Sequence, residues 1–246
     1  MKLVPLFAFL FSVSAGAQSI PLPDYKFSVT DIAAKGLSKE SLFSRMNRSS
    51  IDVGGSICSN RALMWANDFK RQNGLNTAKI FLFFTSKNGR SANKTWWYHV
   101  SPMVNEKGTF WVMDAGFPAM ISEPLSIADW LVEFVGSNKC KEIEATETEL
   151  IERMFVPVVF PQRTSYGTFD CYYRITPGGN WTPASVAKQL LGKDEDGRPV
   201  RYERNDIDPD ELYSACLETT TSGFGRMFGG GKKKCKNYVS TGYYRD

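Results

Sequence analysis

The sequence predicts an α+β fold, in which an amphipathic helix precedes an antiparallel hairpin and further helices follow. Apolar residues recur along residues 57–73 with the spacing of one helix face. Residues 95–104 and 109–117 are two strand-like runs, and the loop between them ends in glycine, which is typical of a hairpin. Beyond residue 117 the pattern becomes more helical. The 246 residues suit one domain, or one domain with an appendage.

The first 17 residues have the features of a secretory signal peptide. Lys2 supplies a positive charge, residues 3–13 are apolar, and the Ala-Gly-Ala of residues 15–17 fits a cleavage site. The apolar run is too short for a membrane helix, which needs about 20 residues. We therefore expect a secreted or periplasmic protein with no membrane span. Residues 18–50 would then form an N-terminal arm or a short pro-segment, with one short helix around residues 38–46.

Export makes the five cysteines informative. An odd number in an exported protein leaves one thiol free, and Cys58 is the one we expect to be free because of its surroundings. The other four allow three pairings. We favour Cys140–Cys171 with Cys216–Cys235, because these pairs close the shorter loops.

Neither charge nor motif spacing indicates a metal, a cofactor or a nucleic acid. The formal net charge of +4 is a mild basic bias. The chain has no Cys-x-x-Cys pair and no cluster of histidine and cysteine, so the sequence predicts no zinc site. We also find no glycine-rich phosphate loop, and we expect a monomer.

Cys58 lies at the beginning of the predicted helix, after two glycines. It falls on the apolar stripe that continues through Ala62, Trp65 and Phe69, and Gly74 ends the helix. The thiol should therefore point toward whatever the helix packs on. The partial positive charge of a helix N-terminus favours a thiolate there.

The hairpin brings the only histidine close to an aspartate. If Val104 pairs with Thr109 across a four-residue loop, His99 faces Asp114 directly. Their Cβ atoms would be about 5 Å apart on one face of the sheet. A slip of one residue would place them on opposite faces.

Thiol, imidazole and carboxylate together can carry out nucleophilic catalysis. Cys58 would be the nucleophile, His99 the base, and Asp114 the group that orients the imidazole. The Cys58 N–H would stabilise an oxyanion. Blander interpretations are a buried structural thiol, a core histidine and a turn aspartate. Trp96 and Trp97 are either core aromatics or the wall of a substrate groove.

The rest of the chain supplies further elements. They are a strand at 79–85, helices at 126–135 and 146–155, strands at 156–160 and 168–175, helices that begin at Pro183 and Pro209, and a mobile basic loop at 219–236. With the signal peptide and arm set aside, residues 51–246 would be the catalytic domain. Its core is at 54–117, and a helical, disulfide-bearing part follows at 118–246.

The motifs resemble those of the protein-glutaminase (protein-glutamine deamidase) family. Residues 58–62, Cys-Ser-Asn-Arg-Ala, are similar to its Cys-x-x-Arg-Ala helix start, and residues 96–100 to its Trp-x-Tyr-His-Val strand. An aspartate follows on the next strand, although the family has Asp-Pro-Ser where this chain has Asp-Ala-Gly at 114–116. The resemblance covers residues 54–117.

This resemblance implies a papain- or transglutaminase-like fold, with the cysteine helix packed on an antiparallel sheet. It implies hydrolysis of the side-chain amide of protein-bound glutamine through a thioester, with no cofactor, and protein or peptide substrates as partners. The alternatives are a transglutaminase or a cysteine peptidase with the same three residues. A non-catalytic exported binding or effector module is the alternative of a different class.

Overall fold

The computed structural model describes residues 19–21, 27–46, 57–85, 97–115, 121–136, 139–144, 146–155, 169–192, 207–221 and 231–241. The predicted signal peptide and the predicted strand at 156–160 lie outside these residues.

The helices follow the predicted pattern with small shifts of their ends. They are α1 (Lys39–Met46), α2 (Cys58–Asn73), α3 (Ile127–Trp130), α4 (Thr148–Phe155), α5 (Pro183–Leu191), α6 (Pro209–Thr221) and α7 (Gly231–Thr241). A turn of π-helix, Leu131–Val135, continues α3. The predicted mobile loop at 219–236 is wrong where it meets α6 and α7, because its first residues end one helix and its last residues begin the next.

The strands form one six-stranded sheet and one small pair. They are β1 (Ser19–Pro21), β2 (Ser28–Thr30), β3 (Ala78–Phe84), β4 (Tyr98–Glu106), β5 (Thr109–Val112), β6 (Leu125–Ser126), β7 (Cys140–Glu142) and β8 (Cys171–Pro177). The order in the large sheet is β6-β5-β4-β3-β8-β7, and β1 pairs with β2. All neighbours are antiparallel except β7, which runs parallel to β8 at the edge. The α+β class is confirmed.

The central strand β3 separates two hydrophobic clusters. Its alternate residues Ala78, Ile80 and Leu82 pack in the cluster that contains α1, α2, α6 and α7. Phe81 and Phe83 face the other cluster, which contains residues of α4 and α5. This alternation is the period of a strand that is covered on both faces.

Helix α2 lies inside the first of these layers. It packs on β4 and on α6, and α6 packs on α7. Ten of its residues from Ser59 to Phe69 are buried, so the helix is enclosed on nearly every side. The αL conformation of Gly74 ends it, at φ 64°. A helix enclosed in this way holds its first residue, Cys58, in a defined place.

Both favoured disulfides are confirmed. Cys140–Cys171 joins the register partners of β7 and β8, and Cys216–Cys235 joins α6 to α7. Cys58 is the free cysteine. In the part of the chain that the structure describes, no helix combines the length and the apolar character that a membrane crossing requires.

A buried carboxyl group connects α2 to α7. The Tyr238 hydroxyl lies 2.9 Å from Oδ1 of Asp68 and 2.9 Å from the carbonyl oxygen of Met64. Burial raises the pKa of Asp68 to about 7, against the lowering effects of Tyr238 and of the Arg45 charge. The folded state therefore binds a proton at Asp68 that the unfolded chain, with an ordinary aspartate pKa, has already lost.

This raised pKa makes stability depend on pH in a defined direction. The contribution of Asp68 is complete below the unfolded pKa of about 4, and it is lost as pH rises through about 7. We expect the free energy of unfolding to fall over this range by at most about 4 kcal/mol. Denaturant unfolding of Asp68→Asn should show a flatter profile, whereas Glu123→Gln, at an exposed position, should keep the wild-type slope. An unchanged slope in Asp68→Asn would contradict the assignment.

Candidate active site

The hairpin β4–β5 turns through two residues, not through the predicted four. Lys107 and Gly108 have positive φ values of 53° and 86°, as a type I′ turn requires. Glu106 therefore pairs with Thr109 and Met103 with Val112. The predicted pairing of Val104 with Thr109 was wrong by two residues. Because the shift is even, the side chains keep the predicted face.

His99 and Asp114 consequently meet on a diagonal. Asp114 lies just beyond the end of β5, and its Oδ2 is 2.9 Å from Nε2 of His99. His99 is 0% exposed and Asp114 is 4% exposed. Diagonal neighbours in antiparallel strands are farther apart than direct pairs but within reach of long side chains. The predicted contact between the two residues is present, although the predicted register is not.

Strand β5 separates from β4 next to a proline. Met113 N–H donates to the carbonyl oxygen of Pro102 at 2.9 Å. Pro102 has no N–H with which to return a bond. Helix α2 begins beside the part of β4 that precedes Pro102, which β5 does not cover.

Cys58 is the first residue of α2 and lies against this edge of β4. Its sulfur is close enough to the Val100 backbone N–H and to the His99 side chain for both to lower the pKa of the thiol. Trp97 C=O accepts from Phe84 N–H and so faces β3. Backbone groups of successive residues in a strand face opposite neighbours, so the N–H of Val100, three residues later, points away from β3. Since Nε2 of His99 faces Asp114, Nδ1 is the ring nitrogen that remains for the thiol. The structure thus brings the three predicted residues together.

The charges of these groups shift one another's pKa values. Burial would raise the pKa of the Cys58 thiol, but the hydrogen bond and charge of His99, the Val100 N–H and the Arg61 charge lower it below its usual range. Burial would lower the pKa of His99, but Asp114 and the thiolate outweigh burial and raise it to about 10. Burial would also raise the pKa of Asp114, yet His99, Trp130 and Arg61 lower it. These directions favour a thiolate beside an imidazolium.

Trp130 completes the surroundings of the carboxylate. Its Nε1 donates to Oδ2 of Asp114 at 3.0 Å, and its ring stacks on the His99 ring with centroids 6.1 Å apart. The helix predicted at 126–135 includes Trp130, but its pattern does not indicate this contact. Its partner is 16 residues away on a separate element, so no local pattern could identify it.

Asn60 holds the beginning of α2 in place. Its Nδ2 donates to Glu218 on α6 at 2.8 Å, and its Oδ1 accepts from Nε1 of Trp181 at 2.9 Å. The hydroxyl of Tyr98 lies 3.4 Å from Oγ of Ser59. These contacts connect the residues that follow Cys58 to α6, to the segment before α5 and to β4.

The two tryptophans predicted to line a groove have different outcomes. Trp96 lies outside the described residues. Trp97 is half-buried and packs against the second cluster, with its ring centroid 6.1 Å from that of Phe83 and 4.6 Å from that of Tyr98. Cys58 packs against the same cluster. A role for Trp97 in substrate binding stays a prediction.

Within the described ranges, no three histidine, cysteine or acidic residues are close enough together to hold a metal ion. The thiol of Cys58, the imidazole of His99 and the carboxylate of Asp114 are groups that nucleophilic and acid–base chemistry uses.

Comparison with known proteins places the site within a matched segment. Residues 36–134 match the model of a family described as glutaminase. This segment contains Cys58, His99, Asp114 and Trp130, and it confirms the resemblance that the motifs predicted. No curated protein sequence matches the chain.

One solved structure that matches this chain is the NMR structure of protein-glutaminase from Chryseobacterium proteolyticum. The two chains share 16% sequence identity, with a TM-score of 0.38. The alignment covers 80% of this chain and 92% of the other.

The lowered thiol pKa predicts selective alkylation of Cys58. In the non-reduced native protein, iodoacetamide should label Cys58 alone, and the reaction should continue to lower pH than with an ordinary cysteine, because the pKa of the thiol is lowered. His99→Gln removes the imidazolium, so the reaction should move to higher pH. Peptide mass spectrometry after timed labelling measures both effects, with Cys58→Ser as the unlabelled control. Identical pH profiles for wild type and His99→Gln would contradict the pairing of thiol and imidazole.

Proposed function

We propose that the chain is a cysteine-dependent hydrolase that deamidates protein-bound glutamine to glutamate. One observation carries the proposal: a free cysteine at a helix N-terminus, a buried histidine and a buried aspartate converge inside the segment that matches the glutaminase family. In this proposal Cys58 is the nucleophile, His99 the acid and base, and Asp114 the residue that orients the imidazole.

The first half of the reaction forms a thioester. The Cys58 thiolate attacks the side-chain carbonyl carbon of glutamine, and the carbonyl oxygen becomes an oxyanion. The Cys58 N–H, at the beginning of α2, can stabilise that oxyanion, because the first N–H groups of a helix have no acceptor within the helix. His99 donates its proton to the amide nitrogen. The carbon–nitrogen bond then breaks, and ammonia leaves.

The second half regenerates the thiolate. His99, now neutral at Nδ1, takes a proton from water while the oxygen of that water attacks the thioester carbon. The tetrahedral intermediate collapses with cleavage of the carbon–sulfur bond and releases glutamic acid, which gives its proton to ammonia or water and becomes glutamate. The imidazolium and thiolate are restored, so no oxidant, reductant or metal enters the balance.

The surroundings of the thiol favour a side chain that projects from a protein. Ile57, directly before Cys58, is 52% exposed, and Trp97, directly before β4, is partly exposed. Both offer apolar contact to the methylenes of glutamine and to its neighbours. Contacts with the neighbouring backbone would lower KM for protein substrates relative to free glutamine. Asparagine, one methylene shorter, would reach the thiolate poorly.

We further propose that the protein is exported after removal of residues 1–17. The sequence of this segment supports export. The two disulfides support it independently, because such bonds persist in oxidising compartments.

Mass spectrometry of a treated protein tests the reaction. We expect intact chains of a glutamine-rich substrate to gain about 1 Da per modified glutamine, with release of an equal amount of ammonia. Cys58→Ser should abolish both signals. New chain termini would indicate a peptidase, and lysine–glutamine crosslinks in the presence of amine would indicate a transglutaminase; either result would replace the proposal.

Substitution of the carboxylate tests its role. Asp114→Asn keeps the shape of the side chain but disturbs the tautomer of His99, so kcat should fall by about 10²- to 10⁴-fold. Asp210→Asn, at an exposed position of α6, is the matched control and should retain wild-type ammonia release. Wild-type activity in Asp114→Asn would show that another group orients the histidine.

A further inference from the structure

The position of Trp130 follows from the short segment that leads to it. Ser126 caps the N-terminus of α3: its Oγ accepts from Asp129 N–H at 3.2 Å and donates to Oδ2 of Asp129 at 2.6 Å. The π-turn that follows ends at Gly136, whose φ of 69° is left-handed. Trp130, the last residue of α3, is 0% exposed.

One oxygen atom of Asp114 receives two hydrogen bonds. Nε2 of His99 is 2.9 Å from Oδ2, and Nε1 of Trp130 is 3.0 Å from the same atom. The Trp130 ring also lies at 28° to the His99 ring. A single tryptophan therefore contacts both the carboxylate and the imidazole.

We propose that Trp130 is a positioning residue that holds Asp114 so that His99 keeps its proton on Nε2 and presents Nδ1 to the Cys58 thiol. The proposal rests on the function proposed above for the site.

The chemistry of the indole explains how this would work. An indole N–H can only donate, so the Asp114 oxygen that it contacts must accept. The terminal torsion of an aspartate is broad, and a second donor on the same oxygen restricts it. An accepting Oδ2 in turn requires the hydrogen on Nε2 of His99. Neutral His99, which the reaction forms at the thioester stage, is then held as the tautomer whose Nδ1 lone pair can take a proton from water.

A packing role makes a different prediction from a positioning role. Phe fills most of the volume of Trp and can stack on an imidazole, but it donates no hydrogen bond. Trp111 provides the matched control: it is half-buried on β5, and its Nε1 has no hydrogen-bond partner among the described residues. Trp130→Phe and Trp111→Phe make the same chemical change, and only the first removes a donor from Asp114.

The single histidine makes a direct test possible. Every histidine side-chain signal in a ¹⁵N NMR spectrum of the full chain comes from His99, so the spectrum reports its tautomer without assignment. In wild type and Trp111→Phe we expect the Nε2–H form whenever the ring is neutral. In Trp130→Phe we expect a mixture of tautomers. This readout does not depend on which amide the protein hydrolyses, so it can fail or succeed separately from the proposed function.

Kinetics of ammonia release supply the second arm of the test. Trp130→Phe should lower kcat by about 10- to 100-fold with little change in KM, since the tryptophan acts through Asp114. In an Asp114→Ala background, Trp130→Phe should cause no further loss. An equal loss in both backgrounds, or a single unchanged tautomer in Trp130→Phe, would overturn the proposal and leave Trp130 as core packing.

A third measurement needs no substitution at position 130, in case Trp130→Phe does not fold. The indole ¹H–¹⁵N signal of Trp130 should move when Asp114 is replaced by Asn, because the acceptor loses its charge. The other tryptophan indole signals serve as internal references. An indole signal at Trp130 that does not respond to Asp114→Asn would contradict the hydrogen bond on which the proposal depends.

Discussion

The buried contact between His99 and Asp114 is the interaction on which the rest of the site depends. A carboxylate removed from water costs several kcal/mol unless charges and hydrogen bonds compensate. Asp114 obtains that compensation on one oxygen, from His99 on β4 and from Trp130 on α3. Strand β4, the segment after β5 and helix α3 must all be in place before the negative charge of Asp114 is compensated. The same contacts that make Asp114 tolerable in the core also orient the imidazole.

The thiol depends on a second set of contacts, those that hold α2. Burial on nearly every side leaves this helix little freedom to shift. Asn60 connects its first turn to α6 and to the segment before α5, and the Cys216–Cys235 disulfide joins α6 to α7. A nucleophile must be placed within a fraction of an ångström of its productive position. In this chain the C-terminal helices, which contain none of Cys58, His99 and Asp114, are part of what holds Cys58, the proposed nucleophile, in place.

Much of this could be predicted from the sequence, because periodicity is a local property. The stripe of α2, its stop at Gly74 and the shared face of His99 and Asp114 all follow from counting residues. The predicted register differs from the observed one, because the turn at Lys107–Gly108 is a two-residue type I′ turn and the predicted loop has four residues. The register is shifted by two residues, an even number, so His99 and Asp114 still lie on the same face of the sheet. Trp130 and Asn60 could not be found, since their partners lie on other elements and no spacing in the chain records those contacts.

The departure of β5 from β4 explains why the thiol can enter the site at all. Met113 and Pro102 are hydrogen-bonded partners in the observed register. If the ladder continued, the next such pair would be Ala115 and Val100, and the carbonyl oxygen of Ala115 would accept from the Val100 N–H. Pro102 cannot return the bond that Met113 makes, and β5 ends at Val112. The Val100 N–H is therefore left for the Cys58 sulfur. Had the hairpin continued to residue 117 as predicted, β5 would have covered the edge that α2 occupies. Pro102, in the middle of β4, thus lies where the pairing with β5 ends and the cysteine helix approaches, while Asp114 stays within reach of His99.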